Sequence, residues 1–299
     1  MTKQNFSSWV LFILLSVIWG SSFILMKKSA EHLSGWQIGA IRIFSAGLVF
    51  LPFAIFHVFS IPLKKLPLVV LSGLLGNLFP AFLFAIAIER KVNSSLAGIL
   101  NSLTPLFVVV IGLLFFGLKV SRRTMLGVLV GLVGLVVLSL SKGKVAVNDL
   151  GLTLLILLAT LFYGLNVNIV GKYLQGINPV KMATVSLAFV AIPASFILWQ
   201  QHVFSIARYD ETARWSIATA ALLGVTGSAL ATALFYQLIQ KAGGLFASLV
   251  TYAIPVVAII WGLVANEDVT PVQVACLALI LGGVYLANKK NTKKEAVED

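Results

Sequence analysis

The chain has 299 residues, of which 59% are hydrophobic and only 11% charged, against roughly 25% charged in an ordinary soluble protein. A soluble fold of this length cannot hide so much apolar surface in one core, because much of any folded chain still faces water. This excludes a cytosolic enzyme, a disordered chain and a disulfide-stapled secreted module, and leaves an all-α integral membrane protein solvated by lipid tails. The net charge of +12 comes from basic residues in short breaks between apolar runs, with no basic face or nucleic-acid motif. Headgroup contact, not nucleic acid, is the partner this predicts.

A bilayer core of about 30 Å takes roughly 20 apolar residues in helix. The first such run, 9–26, follows Lys3 and so begins like a secretory signal. Trp19-Gly20-Ser21-Ser22-Phe23 continues it and no small-x-small cleavage site closes it, so it reads as a retained span. Runs 36–56, 67–88, 96–116 and 124–141 follow, then 151–171, 182–200, 215–237, 245–264 and 271–288, before a charged tail at 289–299. They are about twice the length of outer-membrane barrel strands and do not alternate, so they are helices. Pro67, Pro179 and Pro271 stand near helix starts, the latter two after Asn178 and Thr270 as capping residues. Lys142, Lys172 and Lys289 lie just past helix ends, where they suit the dipole. The lone Cys276 forms no intrachain disulfide.

With the N-terminus cytoplasmic, thirteen Lys and Arg fall on the inner side and eight on the outer. The positive-inside rule then places both termini in the cytoplasm, most of the bias coming from the tail. The chain also repeats itself. Trp19-Gly20-Ser21-Ser22 matches Tyr163-Gly164-Leu165-Asn166, Gly73 and Gly76 match Gly224 and Gly227, and Lys91, Ala97, Pro105 and Gly112 match Lys241, Ala247, Pro255 and Gly262. Two copies of five spans, 9–141 and 151–288, must enter the bilayer from opposite sides. Inverted repeats of this kind are a common design of secondary transporters.

These features resemble the EamA family of the drug/metabolite transporter superfamily. The resemblance rests on the five-plus-five spans and Trp19-Gly20-Ser21-Ser22-Phe23. Two repeated segments add to it: Val92-Asn93-Ser94-Ser95-Leu96-Ala97 leading to Leu103-Thr104-Pro105-Leu106, and Gly243-Gly244-Leu245-Phe246-Ala247-Ser248 leading to Ala253-Ile254-Pro255-Val256. It covers about 10–140 and 152–287 and implies a small-molecule permease, often an exporter of amino acids or other metabolites in the plasma (inner) membrane. The family's Gly-Glu pair after the fourth and ninth spans is absent from the first half, which reads Gly117-Leu118-Lys119; the second reads Asn266-Glu267-Asp268.

None of the ten acidic residues lies within a span; Glu89 ends the third. A cation antiporter working through a buried carboxylate is therefore disfavoured, with Glu89 as its one fallback and an interfacial pairing with Arg90 or Lys91 as the plainer role. Intramembrane aspartyl or Ser/His proteases lack their residues too, since His32, His57 and His202 sit in loops or at span ends. No cofactor, metal cluster or phosphate loop is expected. Arg42 is the one charge well inside a span. It serves either an anionic or carboxylate-bearing substrate or as a structural tie.

Neutral polar residues concentrate on spans 1, 3, 4, 6, 8 and 9: Trp19 and Ser22; Asn77; Asn101 and Thr104; Tyr163 and Asn166; Ser228, Thr232 and Tyr236; Thr251 and Tyr252. Together they predict a central cavity, against the plainer reading of interhelical hydrogen bonds. Pro105 and Pro255 remove the N–H groups that would bond Asn101 and Thr251. They mark equivalent kinks, either hinges or fixed bends. Pro80 and Pro193 have no matched partners. Gly127, Gly131 and Gly134 on span 5, and Ala278, Gly282 and Gly283 on span 10, predict close packing, within the chain or with a second subunit; monomer and homodimer stay open. The expected function is secondary transport of small metabolites such as amino acids by alternating access. A non-transport membrane enzyme or scaffold, a lipid-handling protein and a channel are the weaker readings.

Overall fold

The computed structural model describes residues 3–90, 92, 97, 100–141, 150–264 and 270–288. All regular structure among them is helical. In chain order the helices are α1 (Lys3–Ser29), α2 (Gly35–His57), α3 (Leu63–Glu89), α4 (Thr104–Phe116), α5 (Arg122–Ser141), α6 (Leu150–Tyr173) and α7 (Pro179–Gln200). The short α8 (Val203–Tyr209) precedes α9 (Glu211–Ala242), α10 (Gly244–Ser248), α11 (Val250–Val264) and α12 (Pro271–Asn288). Six helices are long and apolar enough to cross a membrane, and shorter apolar helices accompany them. Phe56, Phe59, Trp199 and Trp215 project outward, as lipid-facing and interfacial aromatics do.

Local chemistry sets the helix ends. Ser34 accepts the Gln37 N–H while the Gln37 side chain accepts the Ser34 N–H, a reciprocal cap that starts α2. Asn178 receives the Val180 and Lys181 N–H groups ahead of Pro179. Asp210 caps α9 through the Ala213 N–H, and the Thr212 hydroxyl holds its carboxyl below the usual range. Lys172 donates to the Phe116 carbonyl at 2.8 Å, where α4 ends on the left-handed Gly117. Among the described residues Glu89 has no ion pair with Arg90, and the other expected partner, Lys91, lies outside them; Glu89 Oε2 accepts the Gly35 N–H at 2.9 Å, a carboxylate at the positive end of α2.

Two features are absent from the sequence expectations. Wide π-helical turns interrupt α3 at Leu74–Leu78 and α9 at Gly224–Leu230. A third, Gly112–Phe116, ends α4. The first two follow the matched glycines of the two halves. Pro80 lies just after the turn in α3, but Ala231 follows the one in α9, so proline is not their common cause. Conversely, the expected bend at Pro105 is a break. The helical path opens at Ser102–Leu103 and restarts at Thr104 with Pro105 in its first turn. In the second half it opens at Leu249, and Pro255 sits inside α11.

Packing runs between the halves at equivalent positions. A Cβ on Gly73 would meet the Ser186 carbonyl at 2.7 Å, and one on Gly224 would meet the Arg42 carbonyl. Gly76 faces the Asn166 amide and Gly227 the Ser22 hydroxyl. Gly20 abuts Val257, and Gly164 abuts Phe107. The span-5 and span-10 glycines pack on each other within the chain. A Gly283 Cβ would lie 2.5 Å from the Gly131 nitrogen and 2.7 Å from the Gly127 carbonyl. Gly282 faces open space. Gly283→Val should therefore force α5 and α12 apart at a cost of about 1–3 kcal/mol, seen as a lower thermal midpoint in detergent. Gly282→Val should stay within about 0.5 kcal/mol; equal losses would refute this packing.

Candidate functional site

The helices enclose a cavity of about 100 Å³, counted as space open to the centre of a water molecule. Its wall includes eleven of the expected residues: Trp19, Ser22, Arg42, Asn77, Asn101, Thr104, Tyr163, Asn166, Thr232, Tyr236 and Thr251. These come from α1, α2, α3, α4, α6, α9, α11 and the residues just before α4. Both sequence halves therefore contribute.

Hydrogen bonds divide these groups into two kinds. Several hydroxyls are satisfied by their own helix: Ser22 donates to Ile18 at 2.7 Å, Thr104 to Asn101 at 2.6 Å and Thr251 to Ser248 at 2.9 Å, each to a carbonyl. The carbonyl that Pro105 frees on Asn101 is thus taken by Thr104. Other groups tie the halves together. The Trp19 indole donates to the Gly227 carbonyl at 3.0 Å, Thr232 donates to Asn77 Oδ1 at 2.8 Å, and the Tyr236 hydroxyl meets Ser72 Oγ at 3.2 Å. Arg42 Nε donates to Ser228 Oγ at 2.8 Å. The buried Oδ1 atoms of Asn101 and Asn166 have no hydrogen-bond partner among the described residues.

Two expected wall residues lie elsewhere. Ser228 stands behind the wall and holds Arg42. Tyr252 turns away: its hydroxyl donates to the Val128 carbonyl on α5 at 2.9 Å, and its ring packs on Gly131. Each is explained by its partner, since a polar side chain in a span takes the nearest acceptor or donor. Pro105 and Pro255 are not on the wall. The wall also holds Met26, Gly76, Phe84, Val167, Gly227, Phe235 and Ile254, which sequence reasoning missed. The two glycines carried a signal, their matched spacing. The apolar side chains carried none, because every span is rich in such residues. Phe84 stacks on Tyr163 at 6.3 Å between ring centres, and Phe235 meets Trp19 edge-on at 5.1 Å. The result is a pathway with aromatic flanks, neutral polar groups and one cation. Glu89 is not on it.

A bundle of membrane-crossing helices around a cavity lined from both sequence halves defines a polytopic membrane protein with a solute-sized pocket. The chain belongs to the EamA-like transporter family, whose sequence model matches residues 7–140 and 151–289. It is 25% identical over 285 residues to an uncharacterised transporter of Archaeoglobus fulgidus, covering 94% of this chain and 99% of that one. It is 25% identical to the uncharacterised inner membrane transporter YedA of Escherichia coli K12, over 91% and 87% of the two chains. A probable amino-acid metabolite efflux pump of Salmonella typhimurium is 28% identical over 150 residues, 48% of this chain and 47% of its own. A solved crystal structure shares the fold at a TM-score of 0.69 and 17% identity, over 98% of this chain and 99% of its own.

Tyr252→Phe removes a hydrogen bond without touching the cavity. It should lower stability by about 1 kcal/mol while solute flux through proteoliposomes keeps the wild-type rate. Loss of flux in a stable Tyr252→Phe protein would return this residue to the pathway.

Proposed function

We propose that this protein is a secondary transporter of small neutral or zwitterionic metabolites, amino acids among them, working as an exporter or permease in the inner membrane. Two inverted five-helix copies, 9–141 and 151–288, rock about the cavity between them, with both termini cytoplasmic. The observation that carries this reading is the cavity itself, whose polar groups come from both halves. The equivalent glycine contacts between the halves support the repeat. The efflux pump of Salmonella typhimurium, similar over half the chain, favours amino-acid metabolites, and the Escherichia coli relative favours the inner membrane. The breaks before Pro105 and Pro255 supply places for the backbone to flex.

A proteoliposome screen of amino acids and nucleobases tests this directly. Saturable, counterflow-stimulated flux is expected for at least one solute, without nucleotide. Asn101→Leu and Trp19→Ala should each lower that flux by roughly tenfold or more, the loss of one or two well-placed contacts, with expression unchanged. Unaltered flux in both would sink the cavity assignment.

A proton-coupled exporter using Glu89 is the second reading. It is disfavoured because that carboxylate already receives the Gly35 N–H. Glu89→Gln keeps an acceptor oxygen at the same place, so flux should persist with and without a pH gradient. A strict gradient requirement abolished by Glu89→Gln would restore the second reading.

A further inference from the structure

Arg42 is the only charged side chain on the cavity wall among the described residues. A guanidinium has five N–H donors in a fixed planar fork. Among the described residues only the Nε donor is engaged, by Ser228 Oγ at 2.8 Å. That bond fixes the plane of the fork and leaves both terminal nitrogens for another partner. Ser228 is itself buried, at 1% exposure, so the anchor sits out of reach of solvent. The Gly224 contact one turn earlier presses α9 onto the Arg42 carbonyl, which fixes the backbone end of the same side chain.

Two complementary groups lie on the same wall. The Asn101 and Asn166 side chains are 8% and 3% exposed, and the Oδ1 of each lacks a hydrogen-bond partner among the described residues. A buried carbonyl oxygen left without a donor costs about 1–3 kcal/mol, and such groups in a folded protein call for an explanation. The Asn166 amide cannot move far, because it is wedged against Gly76. A cation with no counter-charge and two acceptors with no donor among the described residues, all on side chains that line one cavity, make a recognisable chemical complement.

We infer that Arg42 reads a carboxylate on the transported solute, while Asn101 and Asn166 receive N–H donors from the same molecule. This deepens the carrier reading and rests on it for the word transported; the binding claim stands on the cavity alone. The solute is a small carboxylate that also carries N–H donors, an ammonium or an amide, on a short body that the aromatic flanks of Trp19 and Tyr163 can cover. A planar fork prefers a two-oxygen anion. Ser228 is a positioning residue: it touches Arg42, not the solute. Cations are excluded by Arg42, and plain anions leave the two amides unpaired.

Residue-resolved arginine labelling tests this without needing flux. The purified protein in detergent is treated with phenylglyoxal, and modification of Arg42 is followed by peptide mass spectrometry. Four probes are compared: a mixture of free neutral L-amino acids, the same amino acids as methyl esters, the same as N-acetyl derivatives, and potassium chloride. The free amino acids should slow Arg42 labelling by roughly tenfold, one charge-assisted bond's worth. The methyl esters, lacking the carboxylate, and chloride should protect little. The N-acetyl derivatives keep the carboxylate and one N–H and should protect to an intermediate degree. The paired change Asn101→Leu with Asn166→Leu should bring free and N-acetyl forms to the same level. In Ser228→Ala, Arg42 keeps its charge and the free amino acids should lose most of their advantage over chloride.

Protection by the esters equal to that by the free acids, protection by chloride alone, or no protection by any probe would each overturn the assignment. Clear protection in a protein that moves no solute would sink the carrier reading and leave the carboxylate site standing. Flux with no protection would do the reverse.

Discussion

The rest of the structure depends on how closely helix backbones can approach at a few glycines. In lipid there is no hydrophobic drive between helices, so association rests on van der Waals contact and on hydrogen bonds that close contact permits. Gly224 shows the consequence. With any side chain there, α9 would have to leave the Arg42 carbonyl. Ser228 lies four residues further on, so the same displacement would carry its hydroxyl away from Arg42 Nε. Gly227 packs against Ser22, and its carbonyl accepts the Trp19 indole. A single close crossing therefore sets the cation and one aromatic flank of the cavity. The partner crossing at Gly73 and Gly76 places Asn77 and Asn166 in the same way.

The wide turns follow from this crossing. Both start at or next to the matched glycines and both lie where the helix meets the other half. A π-helical turn inserts a residue into the helical ladder and turns the following face. In α3 it falls on Asn77, in α9 on Ser228 and just before Thr232. Asn77 and Thr232 then meet across the cavity at 2.8 Å, although they are not equivalent in the repeat. The wide turns recur in both halves while the side chains on them differ, so the halves are joined by an Arg42–Ser228 bond and by an amide–hydroxyl pair.

Much of this was legible beforehand. The apolar runs overlap helices wherever their residues are described, and six of those helices are long and apolar enough to span, because a bilayer demands length and apolarity that a sequence displays openly. Eleven wall residues were legible because a polar group in a span has few places to go, and most here go inward. Tyr252 defeats that rule. It sits beside Thr251 in sequence, yet the helix rotates it by about 100° onto the Val128 carbonyl. The wide turns were illegible because glycine permits both regular and widened helix, and only the neighbouring backbone decides. Glu89 was read as a surface ion pair because Arg90 and Lys91 are next to it in sequence. Gly35, whose N–H it accepts, is remote in sequence and close only in the fold.

The distribution of charge then limits how such a protein can be driven. A guanidinium keeps its proton throughout the physiological range, so Arg42 carries the same charge when the cavity is empty and when it is filled. Glu89 stands at the N-terminus of α2, outside the wall. With no titrating carboxylate on the wall among the described residues, the charge of the pathway changes only when a solute brings its own. On the proposed binding mode a carboxylate pairs with the fork as it enters and an N–H-bearing end pairs with the amides; a zwitterion leaves the net charge of the site as it was. The loaded cavity then supplies partners to a cation and two acceptors that the empty one leaves without them among the described residues. That difference favours conformational exchange with solute aboard over exchange without it, which is the condition a carrier needs to couple its motion to its cargo.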